Sequence, residues 1–362
     1  MFRIIQSNDT QQLAQLLGDY YQNDERSLFD TFVVIVPAKV LEAWLKRTLA
    51  QQLGAVSLFT TQFWGQYEWQ LIASILQIDA KALKAMGRDK DILQVPEQAV
   101  LSASVIRWRL FGFFNEPAVQ AYAKDDKHPL YFLLTMLPFD ESGRISKEAL
   151  WQLCDDLAKT YVGYLTERND WLSRWATGQA VDVPALIAQK DSFAHAYGRD
   201  DTTPEWLQEE FVALEAALRF LWQTLFKTVY EYRQALQARF WQVLASNQEA
   251  QAALPSRLYL FTVQQLPVVE LDFLHRLSQY CEVILLHFNP SMMFWADIVD
   301  KAWLQTQTVI NPDSVYLKDY GHGLLSRLGK ASRETFAMLA QLSGGEYEAV
   351  AVSYTHLTLP TS

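Results

Sequence analysis

The chain has 362 residues, of which half are apolar and 20% are charged. This length indicates about two or three domains with a sizeable core, and the composition excludes a disordered chain. The formal net charge is −10, from 31 basic and 41 acidic residues. That sign argues against a protein that holds duplex DNA on its own by neutralising phosphates, and no run of about 18 apolar residues predicts a membrane span.

The cysteines and the N-terminus bear on the compartment. Cys154 and Cys281 stand far apart in the sequence without a paired spacing. The apolar run at the N-terminus is too short for a signal peptide, because polar residues follow it directly. Both features predict a reducing, cytoplasmic environment.

Two strand–helix–strand units are predicted, one near each end of the chain. In the first unit, Asp9 and its neighbours offer N-caps to a helix, and a second helix begins at Pro37 and ends at Gly54. In the second unit, Pro267 opens the helix. Continuous apolar runs rich in β-branched residues are typical of parallel strands buried on both faces. The predicted strands are 2–6, 32–36, 258–263 and 283–287.

About 200 residues between the two units have helical periodicity, which is too long for a crossover connection. We therefore expect an α/β fold of a parallel sheet that is split in sequence by an all-helical insertion. The expected helices include 101–114, 147–166 and the stretch 206–244, the last as one long helix or as two, and the polar stretches 77–97, 115–129 and 176–204 are expected as loops or subdomain edges. The expected domains are 1–70 and 251–345 for the α/β part and 71–250 for the insertion.

The end of the chain has a different character. A helix is predicted over 330–342. The residues 351–362 have no clear helical or strand pattern and resemble a translated cloning linker, so we expect them to lie outside the fold.

The sequence contains no complete nucleotide-binding or metal-binding motif. The segment 323–332 approaches the phosphate-binding pattern GxxxxGK[ST], but it has one residue too many between its glycines and Ala331 where a hydroxyl is needed. The turn after the first strand, Gln6 to Asn8, has no glycine or lysine, and the six histidines are scattered. His287, at a strand end, is interpreted as structural. We expect no cofactor, no metal and no catalytic residue in this chain.

Acidic pairs do not indicate a nuclease. Asp140 and Glu141, with Arg144, follow a proline in a predicted loop, and Asp155 and Asp156 lie on the polar side of a predicted helix. A nuclease needs convergent carboxylates around Mg²⁺, and this spacing predicts none.

Aromatic and basic residues also interleave along the chain. Such pairs can stack bases and neutralise phosphates of a single strand, although an aromatic residue on an amphipathic helix more often fills the core. The pairs are Arg107-Trp108-Arg109, Arg168 with Trp171, Arg174-Trp175 and Arg239-Phe240-Trp241.

The motifs of the second α/β unit, with shorter matches along the chain, resemble the N-terminal part of the RecC family, the gamma subunits of exonuclease V (exodeoxyribonuclease V). The matches extend in order over about 345 residues, which makes the set more specific than any one of them. They are Arg3 with Ser7-Asn8, Trp44-Leu45, Asp170-Trp171-Leu172 with Trp175, Leu254-Pro255-Ser256-Arg257, Leu266-Pro267, Asn289-Pro290, 294–298 (FWADI), Leu324-Leu325 and Gly329-Lys330 with Arg333.

The resemblance implies a helicase-like domain of the RecA type that has lost its nucleotide site. In the family, the subunit works in an ATP-driven helicase and nuclease complex that processes double-strand breaks for homologous recombination. RecB-type and RecD-type partners bind ATP and Mg²⁺ and carry the motors and the nuclease. The RecC-type subunit scaffolds them, helps to split the duplex at the fork, and channels and scans single-stranded DNA.

The resemblance also implies which residues line the scanning channel. This sequence departs from the family at the first of them, where Pro37-Ala38-Lys39-Val40 replaces a polar turn. Pro37 and Ala38 have no side-chain group that can read a base edge, so the recognised sequence does not follow from the resemblance. The implied channel residues are Pro37, Lys39, Ala43, Phe63, Trp69, Asp140, Glu141 and Arg144.

Two other readings stay open at this point. The chain could be an ATP-dependent or metal-dependent DNA enzyme with a degenerate motif, in which case nucleotide would bind near Gly329. It could also be a protein–protein adaptor that never contacts DNA.

Overall fold

The computed structural model shows an α/β unit and a helical unit. It describes residues 1–24, 31–97, 101–139, 144–196, 202–263, 266–291, 323–342 and 347–353, together with 295, 298, 304, 305 and 308. Described residues within 1–95, 239–305 and 313–362 form the α/β unit, and those within 96–238 and 306–312 form the helical unit. The sequence predicts the corresponding boundaries at 70 and 250.

The α/β unit contains a six-stranded sheet in the order β3-β2-β4-β5-β1-β6, and its strand pairs are all parallel. This confirms the predicted α/β class with a parallel sheet. The strands are β1 (Phe2–Ser7), β2 (Phe32–Ile35), β3 (Phe59–Gln62), β4 (Arg257–Phe261), β5 (Glu282–Phe288) and β6 (Tyr347–Ser353).

Helices connect the strands of this unit. The side chain of Asp9 accepts a hydrogen bond from the Gln11 amide at 2.8 Å and caps α1, as expected. Gly54 ends α2 with a φ of 77°, a conformation that glycine adopts without strain. The helices are α1 (Thr10–Asn23), α2 (Lys39–Leu53), α3 (Trp64–Ala85), α12 (Gln248–Ala252), α13 (Val268–Leu277), α14 (Gly323–Leu328) and α15 (Lys330–Leu342).

The core of the α/β unit lies on the sheet. Apolar side chains of alternating strand positions, such as Val34, Phe261 and Leu286, are fully buried against Leu13, Leu17, Leu45 and Leu49 of α1 and α2. The helix periodicity and the strand alternation therefore bury the same surface, which is the main source of stability for such a layer.

Between residues 101 and 238, the regular secondary structure of the described residues is helical apart from one bridge between Phe139 and Ile145, and turns and loops connect the helices. Its core includes Trp175, whose indole N–H donates to Glu215 Oε1 at 2.7 Å. Further helical elements are the 3-10 turns Asp89–Asp91 and Ala121–Lys124. The α-helices are α4 (Ala103–Phe114), α5 (Pro117–Gln120), α6 (Tyr131–Thr135), α7 (Lys147–Glu167), α8 (Asn169–Ala176), α9 (Val183–Ala196), α10 (Glu205–Leu221) and α11 (Lys227–Ser246).

The long helical stretch expected over 206–244 is one continuous element. The π-helical turn Trp222–Phe226 joins α10 directly to α11. A π turn inserts one extra residue per turn and rotates the apolar stripe, which keeps Trp222 and Phe226 fully buried.

The structure corrects several expectations. The strand β3 lies in a segment without a predicted strand, since its four half-buried residues give no clear pattern. Part of the predicted loop 77–97 belongs to α3, and part of the predicted loop 176–204 is α9. Residues 351–353, expected to have no secondary structure, end β6, because the free edge of β1 supplies backbone partners for them. The rest of 351–362 lies outside the described residues.

In the described part of the chain, no helix is both long enough and apolar enough to cross a membrane. Cys154 and Cys281 are buried free thiols, and burial raises their pKa values to about 12 and about 11.

Candidate functional site at the carboxyl edge of the sheet

The strand order creates a switch point between β2 and β4. The chain leaves β2 for β3 on one side and leaves β4 for β5 on the other, while β2 and β4 are neighbours. They pair over only two positions, Val34 with Tyr259 and Ile35 with Leu260. In open parallel sheets, ligands bind in the crevice outside the carboxyl ends of the strands at such a point.

A cavity of about 650 Å³ lies at this position, and we call it the crevice. Its volume falls in the range of small-ligand sites, about 300–1,000 Å³. Its polar lining consists of Thr10, Thr262, Glu270 and Ser332, so none of the described residues that line it carries a positive charge. The apolar lining is Ile35, Val36, Pro37, Leu41, Phe63, Trp64, Val263 and Phe288.

Thr262 is the strained residue of the crevice. It follows β4 with a φ of 49°, in the left-handed region that β-branched residues rarely adopt. Its amide donates to the Leu286 carbonyl at 2.8 Å, which holds the backbone in place. Its buried Oγ1 has no hydrogen-bond partner among the residues that the structure describes. Backbone strain and an unsatisfied polar atom together are features that concentrate at functional sites.

Other unsatisfied groups lie near the same edge. Gln62 Oε1, at the end of β3, and Trp64 Nε1, at the start of α3, are buried without a partner in the described part of the chain. The Trp64 ring packs edge-to-face on Phe273 with centroids 5.6 Å apart, so the indole is held by apolar contact. Each buried, unpartnered donor or acceptor costs about 1–3 kcal/mol.

Two titratable groups near the crevice are shifted by burial. Burial, reinforced by the charge of Glu68, raises the pKa of Glu270 to about 7. Burial lowers the pKa of His287, the penultimate residue of β5, to about 4. Near pH 7 the edge therefore has a neutral imidazole, and burial favours the protonated form of the Glu270 carboxyl.

The crevice includes two of the channel residues implied by the resemblance. Pro37, directly after β2, and Phe63, between β3 and α3, both line it. Lys39 and Ala43 are exposed on the first turns of α2. Trp69 is half-buried on α3 and is not among the lining residues.

The remaining implied residues belong to the helical unit. Asp140 and Glu141 lie outside the described residues. Arg144 is exposed and lines a separate cavity of about 310 Å³, together with Phe139 and Lys147.

The two turns that could bind phosphate have backbone amides that already have partners. The Gly329 amide donates to the Leu325 carbonyl at 3.0 Å, and a Cβ at Gly329 would lie 2.6 Å from that oxygen. This close approach is enough to explain why position 329 is a glycine, so a bound phosphate is not needed to explain it. After β1, the Asp9 amide donates to Ser7 Oγ at 3.0 Å. One amide of each turn is therefore already occupied by a partner within the protein.

Two of the four aromatic and basic groups are structural. Trp175 and Phe240 are buried, and Arg239 forms a two-point ion pair with Asp79 at 2.7 Å. Trp108 differs, because 60% of it is exposed and it contacts Trp151. Among the described residues, no group of three or more histidine, cysteine or acidic side chains is arranged to hold a metal ion.

Sequence reasoning missed Trp64, Thr262 and Glu270. The available signal was the position of these residues at strand ends. Thr262 follows β4, and Trp64 lies just beyond β3, which pairs with β2. Their meeting at one crevice depends on the strand order, which the sequence did not establish.

Comparison with known proteins identifies relatives along nearly the whole chain. A family model described as "RecC, N-terminal domain" matches residues 2–358. The RecBCD enzyme subunit RecC of Escherichia coli (strain K12) is 23% identical over 381 residues, covering 96% of this chain and 29% of the relative. The protein of the same name from Haemophilus influenzae (strain ATCC 51907 / DSM 11121 / KW20 / Rd) is 24% identical over 308 residues, covering 83% and 24%. The chain thus spans less than a third of the length of these curated relatives.

Proposed function

The chain belongs to the RecC N-terminal domain family, and we propose that it acts as the N-terminal part of a RecC-type subunit in a helicase and nuclease complex that repairs double-strand breaks by homologous recombination. The observation that carries this proposal is the family match over residues 2–358. The names of the relatives, subunits of the RecBCD enzyme, give the kind of assembly.

Within that assembly, the α/β unit is proposed to be a RecA-like, helicase-type domain without a nucleotide site, and the helical unit an insertion into it. The parallel sheet and the interruption of the α/β unit by residues 96–238 support this assignment. The partnered amides of Gly329 and Asp9, and the lack of a basic side chain among the described residues that line the crevice, support the loss of phosphate binding. No cofactor is therefore assigned to this chain.

The subunit is proposed to scaffold its partners, to help split the duplex and to guide a single strand. Pro37 and Phe63 in the crevice, with the nearby exposed Lys39 and Ala43, form one proposed wall of the strand path. Trp69, Asp140, Glu141 and Arg144 are proposed as further contacts. A strand can be held by stacking and by charges of partner subunits, so a net charge of −10 is compatible with this role.

RecB-type and RecD-type subunits are the proposed partners, and they would bind the ATP and Mg²⁺ that the motors and the nuclease need. The proposed compartment is the cytoplasm, where two buried free thiols stay reduced.

The test combines DNA binding with ATP hydrolysis. We expect the chain to bind a single strand with salt-dependent affinity and to hydrolyse no ATP alone, and we expect it to associate with RecB-type and RecD-type subunits. ATP hydrolysis that Lys330→Ala abolishes would contradict the proposal in favour of an active nucleotide enzyme. Association with partners without any crosslink from a threaded strand would favour an adaptor.

A further inference from the structure

The motif Arg107-Trp108-Arg109 lies on α4 of the helical unit, and its side chains have different surroundings. The Arg107 guanidinium donates to Asp155 of α7 at 2.7 Å and lies 4.8 Å from the centre of the Trp151 ring. Trp108 is 60% exposed. This indole belongs neither to the described core of the unit nor to the crevice.

Other aromatic rings hold the exposed indole in place. Trp108 meets Trp151 of α7 with centroids 4.8 Å apart and an interplanar angle of 65°. Phe111, one turn further along α4, meets the same Trp151 ring at 5.2 Å and 83°. Aromatic pairs favour this edge-to-face geometry. A ring that is already fixed loses little conformational entropy when a ligand covers it, so Trp108 is a preorganised surface for binding.

An open notch separates Trp108 from Arg109. Gly112 follows them by four and three residues, so it is the neighbour of both on the helix surface. It is exposed, and a Cβ at this position would meet no atom within 4 Å apart from the backbone of its own helix. Because helical side chains lean towards the N-terminus, a larger residue at 112 would cover the space between the indole and the guanidinium. We call Trp108, Arg109 and Gly112 the notch.

The charges around the notch favour a ligand with one carboxylate. Asp155 already bonds to Arg107 and Lys159, at 2.7 and 2.6 Å. Arg109 donates to the Leu225 carbonyl at 3.5 Å and pairs with no carboxylate in the described part of the chain. An exposed guanidinium beside an exposed indole therefore suits an apolar group that stands next to a carboxylate.

The same charges favour a protein segment over a nucleic acid strand. A strand carries a phosphate at every nucleotide and is held by a row of available cations. Near the notch, Asp155 engages both Arg107 and Lys159, and the exposed Asp156 would repel neighbouring phosphates. A peptide needs only one carboxylate and one anchor side chain.

We propose that the notch docks an acidic segment of a partner protein, whose apolar anchor packs on Trp108 and whose adjacent carboxylate pairs with Arg109. Tryptophan and arginine are enriched among the residues that dominate the binding energy of protein interfaces. The inference goes beyond the proposed function and is independent of the proposed strand contacts, none of which is part of the notch.

The experiment measures the affinity of the complete chain for three short, disordered, fluorescein-labelled peptides by fluorescence anisotropy. All three contain the same leucine–phenylalanine pair as the anchor. The residues around that pair are aspartate and glutamate in the acidic peptide, asparagine and glutamine in the neutral peptide, and lysine in the basic peptide. A labelled single strand of thymidines is titrated in parallel, because it is the competing occupant.

Three variants change the notch. Trp108→Gln removes the anchor surface, Arg109→Gln removes the cation, and Gly112→Met fills the open space.

Each notch variant has a matched control in the helical unit. Trp206→Gln removes an indole of α10 that is 61% exposed. Arg174→Gln removes an exposed guanidinium of α8. Gly163→Met adds the same side chain at a glycine of α7 where a Cβ also meets nothing within 4 Å.

We expect the acidic peptide to bind at least about fivefold more tightly than the neutral and basic peptides, which corresponds to about 1 kcal/mol. Each notch variant should lower the affinity for the acidic peptide by about the same factor, and the controls should leave it unchanged. Gly112→Met keeps the fold most safely, since methionine is a better helix former than glycine. It should melt no lower than the original chain and still lose the peptide.

Three results would overturn the proposal. The first is an acidic peptide that binds with full affinity to all three notch variants, which would place its site elsewhere. The second is an acidic peptide that binds no better than the neutral and basic peptides. The third is a thymidine strand whose binding is weakened by Trp108→Gln and Gly112→Met more than that of the acidic peptide, which would make the notch a strand contact.

Discussion

The two edges of the parallel sheet differ in how their polar groups are satisfied. At the amino edge, Arg257 donates to Glu282 at 2.8 Å, and Arg3 lies 3.2 Å from the same carboxylate. The N-terminal amine also bonds to the carbonyl of Ser278 nearby. At the carboxyl edge, Thr262 Oγ1 and other buried polar atoms have no partner in the described part of the chain.

This difference indicates that the two edges have different tasks. Paired charges at the amino edge join the starts of β1, β4 and β5, which serves stability. The carboxyl edge has strain at Thr262 and a partly buried carboxyl at Glu270, and both cost folding energy. Such costs persist where they serve binding, and on this ground we propose the carboxyl edge as the functional one.

Among the tests of this difference between the two edges, the largest expected change in the free energy of unfolding concerns Glu270. Its pKa is about 7 in the folded chain against an ordinary value of 4.5, so the unfolded chain ionises first as the pH rises. The free energy of unfolding therefore falls between about pH 4.5 and 7 by about 2–3 kcal/mol. Glu270→Gln should lack this loss and be more stable at pH 8 by that amount, with little difference at pH 4.

Urea unfolding of both proteins at pH 4 and 8 measures this effect. The exposed Glu209→Gln is the matched control and should show no such pH-dependent gain. Equal stability of the original chain and Glu270→Gln at pH 8 would mean that the carboxyl carries no burial penalty.

At the amino edge we expect the replacement of an acidic side chain to lower the free energy of unfolding. Glu282→Gln removes the carboxylate shared by Arg3 and Arg257, whose side chains are about one-third exposed. A partly buried network of this kind contributes about 1–2 kcal/mol, so the variant should be less stable by that amount.

Denaturant unfolding at neutral pH provides the measurement. Glu42→Gln, which breaks an exposed pair with Lys46 on one helix turn, serves as the control and should cost about 0.5 kcal/mol or less. An equal effect of the two substitutions would mean that the paired charges at the amino edge stabilise the fold no more than an exposed ion pair does.

A smaller stabilisation is expected at Thr262. Replacing the unsatisfied buried hydroxyl by a methyl in Thr262→Val should raise the free energy of unfolding by about 1 kcal/mol, because a desolvated polar atom disappears while the strained backbone stays the same. Thr160→Val removes a hydroxyl that bonds to the Asp156 carbonyl on the surface of α7 and should change little. A loss of stability in Thr262→Val would indicate that its hydroxyl has a partner in solution.

The smallest effect concerns Lys39, which is exposed at the start of α2. If it contacts one phosphate, Lys39→Gln should lower the slope of log affinity against log salt for a single strand by about 0.7 and leave stability unchanged. Lys81→Gln, exposed on α3, should leave that slope unchanged. Titrations at several salt concentrations measure both, and equal slopes for the original chain and Lys39→Gln would exclude this contact.

The sequence predicts most of the sheet because β1, β2, β4 and β5 are buried on both faces and keep continuous apolar runs. It does not predict β3, whose residues are only half-buried, so that no strong pattern marks them. It also does not predict β6, because the pairing of that strand depends on the free edge of β1.

The candidate site could be predicted only in part. The resemblance pointed to Pro37 and Phe63, which the structure places in the crevice. Thr262 and Glu270 come from a segment more than 190 residues away in sequence, and only the pairing of β2 with β4 brings them to the same edge. No local pattern reports a switch point, since it is a property of strand order.

Photocrosslinking tests the central claim, that the carboxyl edge is where a single strand is held, most directly. A strand with one 5-iodouracil is irradiated on the folded chain, and the crosslinked residues are identified by mass spectrometry. The account predicts crosslinks to Phe63 or Trp64, reduced in Thr262→Val and Glu270→Met. Crosslinks confined to the amino edge or to Trp108 of the helical unit would contradict it.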